Sequence, residues 1–160
     1  MKSTFITERW PLVICTIIGK VNEEESFQNY LTSWSRLYLT ASEGRGKFSL
    51  LFDIRELSGV DMKYLLGQAM FLKKTKKLTE KWLNKSAILV SKNSVRRILD
   101  FVFTIYRPVR PFKFFTDISK ALEWISSDED KQGDAIGRNG SISAVELENI
   151  FFNKKSLKEM

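Results

Sequence analysis

The sequence predicts an α/β fold, with a mixed, mostly parallel sheet of four to five strands, about four helices and a C-terminal helical tail. Phe48 to Phe52 is an apolar run without alternation, as expected of a strand buried on both faces. A short polar turn then leads into a segment where Met62, Leu65, Leu66, Ala69 and Met70 recur at three- and four-residue spacing, which is helical. Strand-like runs alternate with helical ones over residues 1–125, the pattern of βαβ units. At 160 residues and 43% hydrophobic content, with 12 Phe, 4 Trp and 4 Tyr, one full core can be built.

Residues 4–9 predict a short edge strand, and Leu12–Ile18 a stronger one, opened by Pro11 and closed by Gly19. Asn22 is read as the cap of the first helix, with Glu25 as its capping-box partner. Phe27, Tyr30, Leu31, Trp34, Leu37 and Tyr38 then share one face. The turn at 42–46 returns the chain to strand 48–52, which Asp53 ends, and Asp61 caps the next helix. Lys73, Lys74, Lys76, Lys77, Lys81 and Lys85 crowd that helix end, either as a solvated terminus or as an electrostatic docking surface.

Residues 86–91 read as a buried strand, followed by a helix capped by Asn93 or Ser94. Its apolar face is Val95, Ile98, Leu99, Val102, Ile105 and Tyr106, while Phe101 and Phe103 fall partly off it, under a neighbouring element or exposed for contact. Pro108 and Pro111 end the helix, residues 112–115 form the last strand, and Asp117 caps a closing helix. A domain over 1–125, a flexible linker over 126–141 and a tail over 142–160 complete the organisation, the tail carrying an amphipathic helix. Gly140, Ile142 and Glu146 fit three positions of a calcium loop, but Ala135 and Gly137 stand where ligands are needed, so no metal is assigned.

The chain has no histidine, which excludes Ser-His-Asp and Cys-His nucleophiles and His-based metal sites. Its one cysteine, Cys15, reads as a small buried hydrophobe. Asp53, Glu56 and Asp61 gather near one turn, but a strand end and an N-cap already account for the two aspartates. No catalytic residue and no cofactor is therefore assigned. The run Leu12–Ile18 is too short to cross a bilayer, and Glu8 and Arg9 interrupt any signal-like start, so the chain is read as untargeted and cytoplasmic. Net charge is +7; residues 126–160 hold seven acids and five bases, which places +9 on residues 1–125. That excess favours an acidic protein, nucleic acid or anionic lipid as partner.

Three stretches together make the chain resemble a STAS domain, the module of bacterial anti-sigma-factor antagonists and of sulfate-transporter cytoplasmic tails. FDIRELSGVDMKYLLGQAM is similar to the family's strand, Asp, short loop and Asp-Ser-Ser-Gly helix start, with Asp53 and Asp61 at the two aspartate positions. SAILVSKNSVRRILDFV resembles its fourth strand and following helix, with Arg96 and Arg97 as the Arg pair, and FFTDISKALEWI its closing strand and Asp-capped helix. The resemblance spans residues 5–125 and implies a non-catalytic regulatory module that binds a protein partner. In the antagonists the serine after the second aspartate is phosphorylated; Met62 stands there, followed by Lys63 and Tyr64, so the switch is lost while the surface persists.

The expected contact surface is the loop Leu57–Tyr64 with the exposed face of the second helix, through Ser58, Asp61, Met62, Lys63, Tyr64, Lys73, Lys74 and Lys77. The alternatives are a module holding a small apolar or nucleotide ligand, which the resemblance implies and the many Phe residues suit, and a nucleic-acid-associated basic protein.

Overall fold

The computed structural model describes residues 1–91 and 93–127, and of residues 93–96 the backbone alone. Five strands, β1 (Lys2–Ile6), β2 (Leu12–Val21), β3 (Phe48–Val60), β4 (Leu83–Leu89) and β5 (Phe112–Phe115), form one sheet in the order β1-β2-β3-β4-β5. The first pair is antiparallel and the other three are parallel, giving the mixed, mostly parallel sheet that the apolar runs predict. The helices are α1 (Glu24–Thr40), α2 (Met62–Lys74), α3 (Lys76–Trp82), α4 (Asn93–Ile105) and α5 (Ile118–Ser126). Thr75, whose N–H and hydroxyl both return to Phe71 O, separates α2 from α3.

Alternation along the strands sends one set of side chains to each face. Val13, Cys15 and Ile17 of β2, Phe48, Leu50 and Ile54 of β3 and Ile88 of β4 join the inner aromatic residues of α1 in the main core. Leu51, Ala87 and Leu89 face the other way, against Ala121 and Trp124 of α5. The connecting helices α1, α2 and α4 thus cover one side of the sheet, as right-handed crossovers between sequential strands require, and α5 covers the other.

Several local expectations are corrected. The first helix begins at Glu24 with Glu23 as its N-cap and no side-chain cap bond, so the Asn22–Glu25 capping box does not form. β2 runs on through Gly19 to Val21, with register shifts against β3 between Thr16 and Ile18 and between Gly19 and Lys20. The turn expected at 42–46 is π-helical over residues 41–45, with Gly44 and Gly46 at φ +124° and +78°, where a side chain would be strained.

The largest correction concerns β3, which does not end at Asp53 but continues to Val60. Pairing with β2 persists at Leu57↔Gly19, Gly59↔Lys20 and Val60↔Val21, so the ladder holds this polar sequence extended. The turn expected before α2 reduces to Asp61.

Lys85 is also relocated. It belongs to β4, is 1% exposed, and donates from Nζ to Trp124 O at 2.7 Å and Ser127 O at 2.6 Å, tying the C-terminal end of α5 to the sheet. Phe101 is buried against Leu65 and Ala69 of α2, and the Phe103 ring lies 4.8 Å from that of Phe112, which answers the question of where these two residues pack. Asp117 caps α5 as expected, its carboxylate accepting from Ser119 N and Lys120 N. The caps expected of Asn93 or Ser94, the linker beyond Ser127, the tail and the calcium-like pattern lie outside the described residues.

Candidate functional site

Helix α2 is the element on which the predicted contact residues converge, and its two faces differ. Tyr64, Leu65 and Ala69 are buried, Tyr64 with its ring 4.9 Å from that of Phe27. Lys63, Leu66, Met70, Lys73, Lys74 and Lys77 are exposed. Their three- and four-residue spacing makes a single outward stripe along α2 and into α3. Leu66 is 42% and Met70 59% exposed, so the apolar period read over residues 62–70 is divided between the core and the surface. The division follows from the wedge between sheet and α4: Leu65 and Ala69 pack on Phe101 and Val102, and Leu66 and Met70 are each rotated by one residue from that contact.

The predicted contact residues therefore separate. Lys63, Lys73, Lys74 and Lys77 lie on the stripe, and Ser58 is exposed on β3. Met62 is half-buried at the start of α2. Asp61 and Tyr64, expected on the surface, are 8% and 3% exposed and turned inward. Asp61 is the N-cap residue by position, but its carboxylate makes no cap bond and instead lies 3.6 Å from Lys20 Nζ. Its backbone N–H donates to Val21 O, binding the start of α2 to the end of β2. Leu66 and Met70 are the residues that the sequence reading missed; the lysines three or four positions away on either side were the available signal.

Asp53, at the position where β4 leaves β3, is held by its own strand. Arg55 donates Nε to Oδ1 at 2.9 Å and Nη2 to Oδ2 at 2.8 Å, and its backbone N–H reaches Oδ1 as well. These bonds hold the Asp53 carboxyl below the usual carboxylate range, against a smaller opposing effect of burial. A depressed folded-state pKa contributes stability above the unfolded value of about 4, which is lost as pH falls through the folded value. Asp53→Ala is thus expected to be less stable than the parent at pH 7, with the difference shrinking below about pH 4, as urea unfolding at a series of pH values would record.

Beneath α2 lies a cavity of about 140 Å³ between the sheet and helices α1, α2 and α4. Leu50, Ile54 and Ile88 form its floor, and Leu65 and Val102 part of its roof. The polar groups on its lining include Trp34, Tyr38, Thr79 and Tyr106. Tyr38 and Thr79 satisfy one another, hydroxyl to hydroxyl at 2.8 Å, and Thr79 also donates to Thr75 O. Trp34 Nε1 and the Tyr106 hydroxyl are also buried, with the hydroxyls of Tyr30 and Thr79 as their side-chain partners. Burial pushes the Tyr106 hydroxyl up to about 12 and that of Tyr30 well above its ordinary value, so both stay protonated at neutral pH.

A family model described as SpoIIAA-like matches residues 12–126. The chain belongs to the SpoIIAA-like family. That membership agrees with the STAS resemblance carried by the three motifs. Among solved structures, the chain is similar to a DUF3478-family protein with a SpoIIAA-like fold from Shewanella loihica PV-4, at 20% identity and TM-score 0.51, covering 78% of this chain and 92% of that one. It is also similar to the anti-sigma factor antagonist SpoIIAA in its unphosphorylated form, at 11% identity and TM-score 0.48, covering 78% of this chain and 97% of that one. No curated protein matches. Among the described residues, no helix is long and apolar enough to cross a membrane.

Proposed function

We propose that this SpoIIAA-like chain is a non-catalytic regulatory module that docks an acidic protein partner through the outward face of α2. The observation that carries the reading is the exposure of Leu66 and Met70 at the centre of a stripe bounded by Lys63 on one side and by Lys73, Lys74 and Lys77 on the other. An apolar centre within a charged rim is the usual anatomy of a protein interface. The +9 carried by residues 1–125 selects a partner whose own rim is acidic and accelerates the encounter. Met62 opens α2 where the STAS antagonists carry their phosphorylated serine, and a thioether cannot accept phosphate. Docking is accordingly constitutive with respect to that position, and the module acts in the cytoplasm.

The test compares the full chain with Leu66→Asp/Met70→Asp and with Lys63→Glu/Lys73→Glu/Lys74→Glu. Both variants are expected to unfold within about 0.5 kcal/mol per substitution of the parent, because the altered side chains are exposed. A protein retained by the parent from native extract, and then shown with purified components to bind directly, is expected to be lost with both variants and to bind less tightly as salt rises. Recovery of the same proteins by both variants would refute the docking face. If phosphatidylserine vesicles or polyuridylate bind the parent and not the variants, while no protein does, the acidic-protein assignment is replaced by lipid or nucleic acid.

A further inference from the structure

We infer that the end of the sheet at which the parallel strands begin is a binding surface for single-stranded nucleic acid. β2, β3, β4 and β5 run in one direction, so the segments that precede them, residues 7–11, 41–47, 81–82 and 106–111, lie side by side at that end. Hydrogen bonds tie them down: Ser49 N donates to Pro11 O, Ser86 N to Pro111 O, Trp10 Nε1 to Arg45 O, and Arg110 Nε to Leu83 O and Asn84 O. The segments carry Arg9, Arg45, Lys47, Lys81, Arg107 and Arg110, all exposed except the half-buried Arg110. Glu8, Glu43 and Glu80 are the acids on or beside them. Among the described residues, none of the six cations lies within 4 Å of a carboxylate.

Two features specify the partner. The first is the shape of the charge. Four strand starts about 4.8 Å apart make a band about 14 Å across, the length of about four phosphates at the ~3.4 Å spacing of a stacked strand. At the opposite end α1 opens with Glu23, Glu24 and Glu25 and α5 with Asp117, so a polyanion is steered to the basic end. The second is the pairing of cations with indoles. The Arg45 guanidinium lies 5.1 Å from the centre of the Trp10 ring, and the Lys81 ammonium 5.0 Å from that of Trp82. Trp10 is fixed by its bond to Arg45 O and by the Phe48 ring 5.2 Å away, so the stack is set before a ligand arrives. An unpaired base laid on the exposed guanidinium extends that stack, which a carboxylate or a lipid headgroup does not. Among the described residues, none of the exposed large apolar side chains falls on these four segments, so a bilayer meets no wedge there. Leu66, Met70 and the lysines beside them on α2 are on none of the segments either, and the surface is separate from the docking stripe.

The experiment follows the fluorescence anisotropy of a labelled oligothymidylate twelve-mer with the full chain, beside an abasic strand of the same length that keeps the phosphates and lacks the bases. Oligothymidylate is expected to bind at least fivefold more tightly than the abasic strand, with log K falling against log salt at a slope of about −3. A glutamate twelve-mer and phosphatidylserine vesicles, at equal anionic charge, are expected to displace it at least tenfold less effectively than unlabelled oligothymidylate. Lys81→Gln/Arg107→Gln is expected to weaken both strands at least fivefold and to flatten the slope by about 1.4. Arg45→Lys keeps the charge and removes the plane, so it is expected to weaken oligothymidylate at least threefold and leave the abasic strand unchanged. No binding at about 50 mM salt, equal binding of the abasic strand, displacement by glutamate or vesicles as effective as by oligothymidylate, or unchanged affinity in both variants would each overturn the assignment. Leu66→Asp/Met70→Asp is expected to bind oligothymidylate within threefold of the parent; a loss above tenfold would move the strand to the α2 stripe and overturn it as well. Lys81→Gln/Arg107→Gln is expected to retain the protein partner of the parent, so the two surfaces are read separately.

Discussion

Lys85→Met is expected to destabilise the fold by about 2–4 kcal/mol, because it removes a buried, charged donor from Trp124 O and Ser127 O at once. Lys85 is 1% exposed within β4, and its Nζ meets Trp124 O at 2.7 Å and Ser127 O at 2.6 Å. Its ammonium also lies 4.8 Å from the centre of the Trp124 ring. A methionine can occupy the same stem volume but offers no N–H, so Ser127 O loses the ammonium and Trp124 O is left with the N–H and hydroxyl of Ser127 alone. Because α5 covers the Leu51, Ala87 and Leu89 face of the sheet, weakening its end exposes that second core as well. Urea unfolding would show a midpoint lowered by about 1 M or more at an m-value of ~1–3 kcal/mol/M. Lys77→Met, on the exposed stripe, is the control and is expected to change stability by less than about 0.5 kcal/mol.

Phe48→Ala is expected to cost more, about 3–5 kcal/mol, with its cavity held open by its neighbours. Phe48 begins β3 and is fully buried, its ring centroid 5.2 Å from that of Trp10 and 6.0 Å from that of Tyr38. Neither neighbour is free to collapse into the space. The Trp10 indole donates to Arg45 O at 2.9 Å beneath the Arg45 guanidinium, and the Tyr38 hydroxyl is fixed to Thr79. Equilibrium unfolding is the measurement; a loss below about 1.5 kcal/mol would mean that the aromatic cluster relaxes around the deletion.

The sheet and its core were legible because continuous apolar runs report burial on both faces. Leu12–Ile18, Phe48–Phe52 and Phe112–Phe115 all lie within strands, and the STAS resemblance of the strand-to-helix motif gave the family. What stayed hidden depended on neighbours distant in sequence. Nothing local shows that residues 53–60 remain extended, since their order comes from the ladder with β2 and, at the Asp53 carboxylate, from Arg55 on the same side of the strand. Lys85 looked like one of a run of solvated lysines because the carbonyls that receive it are some 40 residues away. The exposure of Leu66 and Met70 stayed hidden for a related reason: a helix with apolar residues on two adjacent stripes does not state which stripe meets the core.

The sheet order carries a consequence for how the chain is made. Because each strand lies beside the one synthesised just before it, a polypeptide emerging N-terminus first can add every new strand to an edge that is already in place, without waiting for a distant segment to be inserted. The helix-covered side can mature in that progression. The opposite side cannot, since α5 is last to emerge of the elements described, and until Trp124 and Ser127 arrive the Lys85 ammonium has neither of the carbonyls that will receive it. Among the elements described, closure of that side is thus the last assembly event, and a chain truncated before Ile118 would leave an apolar sheet surface open to its neighbours.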